Sequence, residues 1–221
     1  MSVADAVAEV RGRIAAACER SGRDPGEVTL VAVSKGFPAS SVDDVVRCGV
    51  GDLGENRAQE LRDKGREVAT EPRWHFLGPL QTNKVRYLDE VTLIHSVDRT
   101  DEVEALQARA SRTGRSYDVL VEVNVSGEPT KQGLPPEELR PFLDTILGYT
   151  LVRPRGLMMM APMVENPEDV RWMFAEARHL RDRVRDVGLE ELSMGMTDDF
   201  EVAVEEGATF VRIGRAIFGR R

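Results

Sequence analysis

Eight short apolar runs recur along the chain, each separated from the next by a stretch with helical spacing, and nothing else in the sequence restricts the fold so strongly. The runs are VTLVAVSK (28–35), DLGEN (52–56), RWHFLG (73–78), TLIHSV (92–97), YDVLVEVNV (117–125), PRGLMMM (154–160), ELSMGM (191–196) and TFVRIGRAI (209–217). The clearest helical stretch carries Val170, Met173, Phe174, Ala177, Leu180, Val184 and Val187 at intervals of three and four, with Arg and Asp opposite. That pattern buries one face. Ahead of the first run, Val3, Ala6, Val7, Val10, Ile14 and Ala17 make a similar stripe behind Ser2, an N-cap residue with Asp5 three positions on. Strands that alternate with helices pair in parallel, and near-continuous apolar strands are covered on both faces. The sequence therefore predicts an α/β fold, a single (β/α)8 TIM-type barrel over residues 1–221, with residues 1–22 as an extra N-terminal helix packed on it. A doubly wound open sheet is the alternative. It calls for a G-x-G-x-x-G turn after the first strand, and SKGFPAS does not supply one.

The composition removes several function classes. With 30 Lys and Arg against 38 Asp and Glu the net charge is -8, and the basic residues are scattered. A nucleic-acid binder would gather them on one face. No apolar run is long enough to span a bilayer, and the MSVADAVAEVRGRI start carries acids where a signal peptide is basic and then apolar. The expectation is a cytoplasmic protein without membrane or nucleic-acid partners. Cys18 and Cys48 are read as two buried thiols, and His75, His95 and His179 have no ligand spacing with them, so no metal site is expected.

Four of the 30 basic residues are lysines: Lys35, Lys64, Lys84 and Lys131. Arg cannot be deprotonated and Lys can, so each lysine is a candidate for amine chemistry. On the first strand Val31, Val33 and Lys35 share a face. If the valines fill the lumen, Lys35 projects its amine into the carboxyl-end mouth, where barrels place their active sites. An enclosed, unpaired ammonium there favours the neutral, nucleophilic form; pairing with Glu55 or escape to solvent is the alternative. Lys84 and Lys131 fall in loops towards the same mouth, and Lys64 in a charged helical stretch that reads as surface. Thr197 begins the helical pattern TDDFEVAVEEG after strand seven, and strand eight runs into Gly214, where a missing Cβ admits a ligand to the backbone. Loops seven and eight of such barrels frequently hold phosphate, although Asp198 and Asp199 oppose an anion. Arg212 faces away from Val211 and Ile213, either paired with a lumen acid such as Glu122 or donating to a ligand. Asn56 follows the GEN turn, where it either binds a ligand or braces its loop. Together these describe a Schiff-base site for a phosphorylated aldehyde.

The segments LVAVSK, GENRAQE, WHFLGPLQTNK, IHSVDR, VNVSGEPTKQG, RGLMMM, LSMGMTDDFEVAVEEG and VRIGRAIFG, spread over residues 30–219, carry a resemblance. The chain resembles the pyridoxal phosphate homeostasis protein family, which is similar in turn to the barrel domain of alanine racemase. The resemblance implies pyridoxal 5'-phosphate held covalently on Lys35, its phosphate on Thr197, Gly214 and Arg215, its pyridine nitrogen facing Arg212, and Asn56 lining the cofactor. It departs from the family at Arg215, where a small hydroxyl residue is common, and at Gly36-Phe37, which replaces a more polar pair. An Arg at the ring nitrogen weakens the cofactor as an electron sink. A racemase of the resembling class takes a tyrosine base from a second domain, and here four residues follow Ile217. The implied function is therefore non-catalytic: a monomeric carrier that maintains pyridoxal phosphate, with PLP-dependent apoenzymes as recipients and Lys131 as a second acceptor of the aldehyde. A single-domain amino-acid racemase is the alternative. A Schiff-base aldolase lacks an identifiable acid/base pair.

Overall fold

The computed structural model describes residues 2–128 and 131–219; Pro129 and Thr130 of the VNVSGEPTKQG motif lie outside the described residues. Eight parallel strands close into a barrel in which each pairs with its neighbours in the sequence and β8 returns to β1. They are β1 (Thr29–Val33), β2 (Asp52–Glu55), β3 (Arg73–Phe76), β4 (Val91–Val97), β5 (Tyr117–Glu122), β6 (Val152–Met158), β7 (Glu191–Ser193) and β8 (Phe210–Ile213). The helices are α1 (Val3–Ser21), α2 (Ala39–Arg47), α3 (Ala58–Glu67), α4 (Thr100–Thr113), α5 (Leu139–Ile146), α6 (Arg171–Arg183), α7 (Phe200–Glu205) and α8 (Arg215–Phe218). Between β3 and β4 the crossover is a 3-10 helix, Thr82–Tyr87. The main apolar core lies between strands and helices, where Leu30 and Ala32 of β1 join Val42 and Val45 of α2. The next residues along β1 point the other way, so Val31 and Val33 face the lumen as the alternation requires. Leu93, Leu120 and Met158 form a smaller lumen cluster with Phe210.

The first helix has a structural task. Ser2 Oγ accepts the Asp5 amide and Asp5 returns a bond to the Ser2 amide, and Gly22, at φ 67°, ends the helix. Helices α7 and α8 have only six and four residues. The buried stripe of α1 packs against both, covering barrel surface that they leave open. Arg13 pairs with Glu201, Arg20 with Glu205, and Arg23 donates to the carbonyls of Val204 and Ala208.

Several expected boundaries move. Strand β1 stops at Val33, which leaves Lys35 in the following turn. Strand β8 stops at Ile213, because residues 215–218 coil into α8 behind Gly214. Thr197 does not open a helix: α7 starts at Phe200, with Asp199 in the N-cap position and no side-chain cap bond. Cys18 is buried but Cys48 only half-buried. Among the described residues no helix is long and apolar enough to cross a membrane.

Candidate functional site

The six residues singled out in the sequence fall on one contiguous arc of the carboxyl-end mouth, formed by β7, β8, β1 and β2. Pairing of Val31 with Arg212 and of Ala32 with Ile213 sets the end of β8 beside the end of β1. A Cβ on Gly214 would come to 3.2 Å of the Val33 carbonyl oxygen, so only glycine brings these two backbones this close without displacement. Phe37, after β1, stacks on Phe218 of α8 with centroids 5.0 Å apart. On the other side, the Ser34 amide donates to the Gly54 carbonyl at 3.0 Å, which places the Lys35 turn against the loop carrying Asn56.

Lys35 is exposed and makes no hydrogen bond or ion pair with a described residue. This corrects the expectation of an enclosed ammonium: the amine is open to solvent. Its turn is held instead by a cluster that the sequence concealed. Lys64, expected at the surface, is 6% exposed and donates to the Ser34 carbonyl at 2.8 Å and to Glu60 at 3.1 Å. It also pairs closely with Glu55, which accepts the Ser34 hydroxyl at 2.7 Å. Glu60 in turn accepts the Gly36 amide. Lys35 is thus bracketed on both sides by bonds to one buried ion cluster. Burial raises the Glu55 carboxyl against the opposing pull of Lys64 and Ser34, and one Glu55 oxygen, Oε2, is buried without a partner among the described residues.

Arg212 is the buried cation of the site. It does not pair with Glu122; Nη1 donates to Ser193 Oγ at 2.6 Å and Nη2 to the Met159 carbonyl at 2.9 Å. Burial pulls the guanidinium down to about 10, with Asp199 and Glu122 acting the other way, so it remains charged at neutral pH. Burial also pushes the Glu122 carboxyl up to about 7, with Asp98 adding to the rise and Arg212 opposing it. A guanidinium held by a hydroxyl and a carbonyl retains its charge and its remaining N–H groups for an incoming acceptor.

The two acids that argued against an anion at loops seven and eight are both engaged. Asp198 forms an ion pair with Arg215, and Asp199 accepts the Met196 amide at 2.6 Å. Burial raises the Asp199 carboxyl, against the pull of the Met196 amide and Arg212. The same ion pair draws the Arg215 loop to the segment carrying half-buried Thr197. Asn56 lines a cleft with Gln81 and Lys84, and its backbone crosses Gly78 so tightly that a Cβ there would sit 2.0 Å from the Asn56 carbonyl oxygen. Lys131 lies 3.8 Å from Glu128. Sequence reasoning missed Ser193, Lys64, Glu60 and the Phe37–Phe218 stack; strand parity was the one available signal, for Ser193.

Comparison with known proteins bears on the family and the fold. The alanine racemase N-terminal domain family matches residues 11–221. The pyridoxal phosphate homeostasis protein of Aquifex aeolicus is 45% identical, covering 100% of this chain and 99% of that protein. A crystal structure of an unknown protein from Bifidobacterium adolescentis superposes with a TM-score of 0.92 at 35% identity, over 98% of this chain and 94% of the other. PipY of Synechococcus elongatus, solved with PLP bound, gives 0.86 at 35% identity over 99% and 100%. With its barrel, its carboxyl-end mouth and these relatives in agreement, the chain belongs to the pyridoxal phosphate homeostasis protein family, built on the alanine racemase N-terminal domain.

Proposed function

We propose that this mouth holds pyridoxal 5'-phosphate as a Schiff base on Lys35 and that the chain stores and delivers the cofactor without turning over a substrate. The observation that carries the reading is Arg212: a buried cation, bonded only to neutral acceptors, one strand from a free and exposed lysine. The residues present fit the group. Lys35 Nζ adds to the aldehyde carbon; a C=N bond replaces C=O and the oxygen leaves as water. The backbone at Gly214, the Thr197 hydroxyl and the amides around them receive the phosphate, while Arg215 cancels the Asp198 charge. Asn56 lines the side nearest β2.

Bound pyridoxal phosphate supplies an electron sink only as strong as its ring nitrogen is protonated. Arg212 opposes that protonation, because a guanidinium facing the nitrogen presents N–H groups and a positive charge. Racemisation also needs a second base. The tyrosines do not supply one: Tyr117 donates to Asp89 at 3.0 Å, Tyr87 lies among Arg62, Lys84 and Arg86, and Tyr149 follows α5, ahead of β6. Sequestration has a chemical purpose of its own, since a free aldehyde modifies amines indiscriminately. We place the chain in the cytoplasm as a monomer, with PLP-dependent apoenzymes as recipients. The test is direct: protein incubated with pyridoxal phosphate and desalted turns yellow, Lys35→Ala does not, and added L-alanine is neither racemised nor transaminated. Turnover at ordinary enzyme rates of about 1 per second or faster supports the racemase reading instead.

A further inference from the structure

Beneath Arg212 a single file of buried polar groups crosses the barrel lumen. Asp52 Oδ1 lies 3.0 Å from His75 Nε2, His75 Nδ1 lies 2.9 Å from His95 Nε2, and His95 Nδ1 lies 2.8 Å from Ser193 Oγ, which accepts Arg212 Nη1 at 2.6 Å. None of the five residues is more than 7% exposed. Because β4 and β7 stand three strands apart in the closed barrel, with β5 and β6 between them, the His95–Ser193 bond passes through its interior. The Phe210 ring closes on both imidazoles, with centroids 5.6 and 5.7 Å away. The file starts at the amino-end mouth, where Arg73 grips Asp52 with two bonds, and ends at the cation beneath the proposed cofactor.

With both imidazoles neutral, the protons along this file have one arrangement. Arg212 can only donate, an ionised Asp52 can only accept, and a neutral imidazole does one of each. Burial works to raise the Asp52 carboxyl, but bonds from His75 and Arg73 outweigh it and keep it below the usual value. Burial foremost, with the neighbouring His75 and the Arg212 guanidinium adding to it, holds His95 well below the usual imidazole range. His75 Nε2 therefore donates to Asp52, which leaves its Nδ1 to accept from His95 Nε2. His95 Nδ1 then accepts the Ser193 hydroxyl, whose lone pair takes the Arg212 N–H. All four bonds point from Arg212 towards Asp52, and aligned bonds polarise one another. We propose that Ser193, His95, His75 and Asp52 are positioning residues that hold Arg212 as a fixed donor to the ring nitrogen of the bound cofactor, anchored from the opposite end of the barrel. This rests on the pyridoxal phosphate reading above.

Two measurements test it. In 15N-labelled protein, with or without cofactor, the directed file requires His75 and His95 each to carry a single proton, on Nε2; a proton on Nδ1 of either overturns it. In loaded protein, Ser193→Ala should weaken pyridoxal phosphate binding about tenfold, the value of one hydrogen bond to a charged group, and should raise the pH at which the bound chromophore titrates. Asp52→Asn keeps an acceptor for His75 and loses the charge, so its shift should be smaller and in the same direction; Ser193→Thr restores the hydroxyl and should reverse most of the effect. A merely structural role lowers the melting temperature and leaves the titration in place, and that result in Ser193→Ala overturns the proposal. If wild-type protein takes up no cofactor, the binding reading fails and the histidine tautomers still decide whether the file is directed.

Discussion

Lys64→Met keeps the length of the side chain and removes the cation that sits between Glu55 and Glu60. Glu55 is fully buried and Lys64 is 6% exposed, so the pair has little solvent to screen it. Removing one member of such a pair strands the other charge and costs about 3–5 kcal/mol, a large part of the 5–15 kcal/mol that holds a typical domain together. Glu55 can relieve part of this by taking up a proton, because burial already raises its carboxyl above the ordinary 4.5. A carboxyl whose folded value is raised contributes stability that is intact below its unfolded value and lost as pH rises through the folded one. The deficit of Lys64→Met should therefore be larger at pH 8 than at pH 5. Urea unfolding at both pH values measures it, and Lys64→Met with Glu55→Gln should recover more than half. A variant within about 0.5 kcal/mol of wild type at pH 8, the range of an ordinary surface change, or one hurt more at pH 5, would refute the buried cluster as the support of the Lys35 turn.

Glu122 should show the same sign of pH dependence without a cation partner. Burial holds it at about 7 against 4.5, so its contribution is complete below pH 4.5 and fades as pH rises through 7; Glu122→Gln should flatten that decline by at most about 3 kcal/mol, and superimposable pH profiles would contradict this. Gly78→Ala places a methyl group 2.0 Å from the Asn56 carbonyl oxygen. It should lower stability by about 2 kcal/mol and weaken cofactor uptake through the Asn56 loop, whereas wild-type melting and binding would show that the loop yields freely.

The barrel was legible because its determinants are local and repeated: the apolar runs, their alternation, and the Ser2–Asp5 cap all act within a few residues. Strand parity assigns Arg212 to the lumen, and the ends of the first and last apolar runs bring Lys35 and Gly214 to the same mouth, although Lys35 itself lies in the turn beyond β1. What stayed hidden depends on pairs distant in the chain. Lys64 reads as surface on α3 because the stretch around it is charged, and the spacing does not show that Glu55 lies behind it in β2. The α7 start falls at Phe200 rather than Thr197 because residues 197–199 form a turn, in which Asp199 accepts the Met196 amide. His75 and His95 carry no metal spacing, but they share lumen parity on adjacent strands, and that parity brings them within 2.9 Å. The spacing turns Arg212 away from Val211 and Ile213, but its partners, Ser193 and the Met159 carbonyl, are set only once β6, β7 and β8 are in place.

The most direct measurement is chemical trapping. Protein incubated with pyridoxal phosphate, reduced with borohydride, digested and mapped by mass spectrometry should carry the pyridoxyl label on the peptide containing Lys35. A label missing from that residue, or shared evenly with Lys84 and Lys131, would contradict the account.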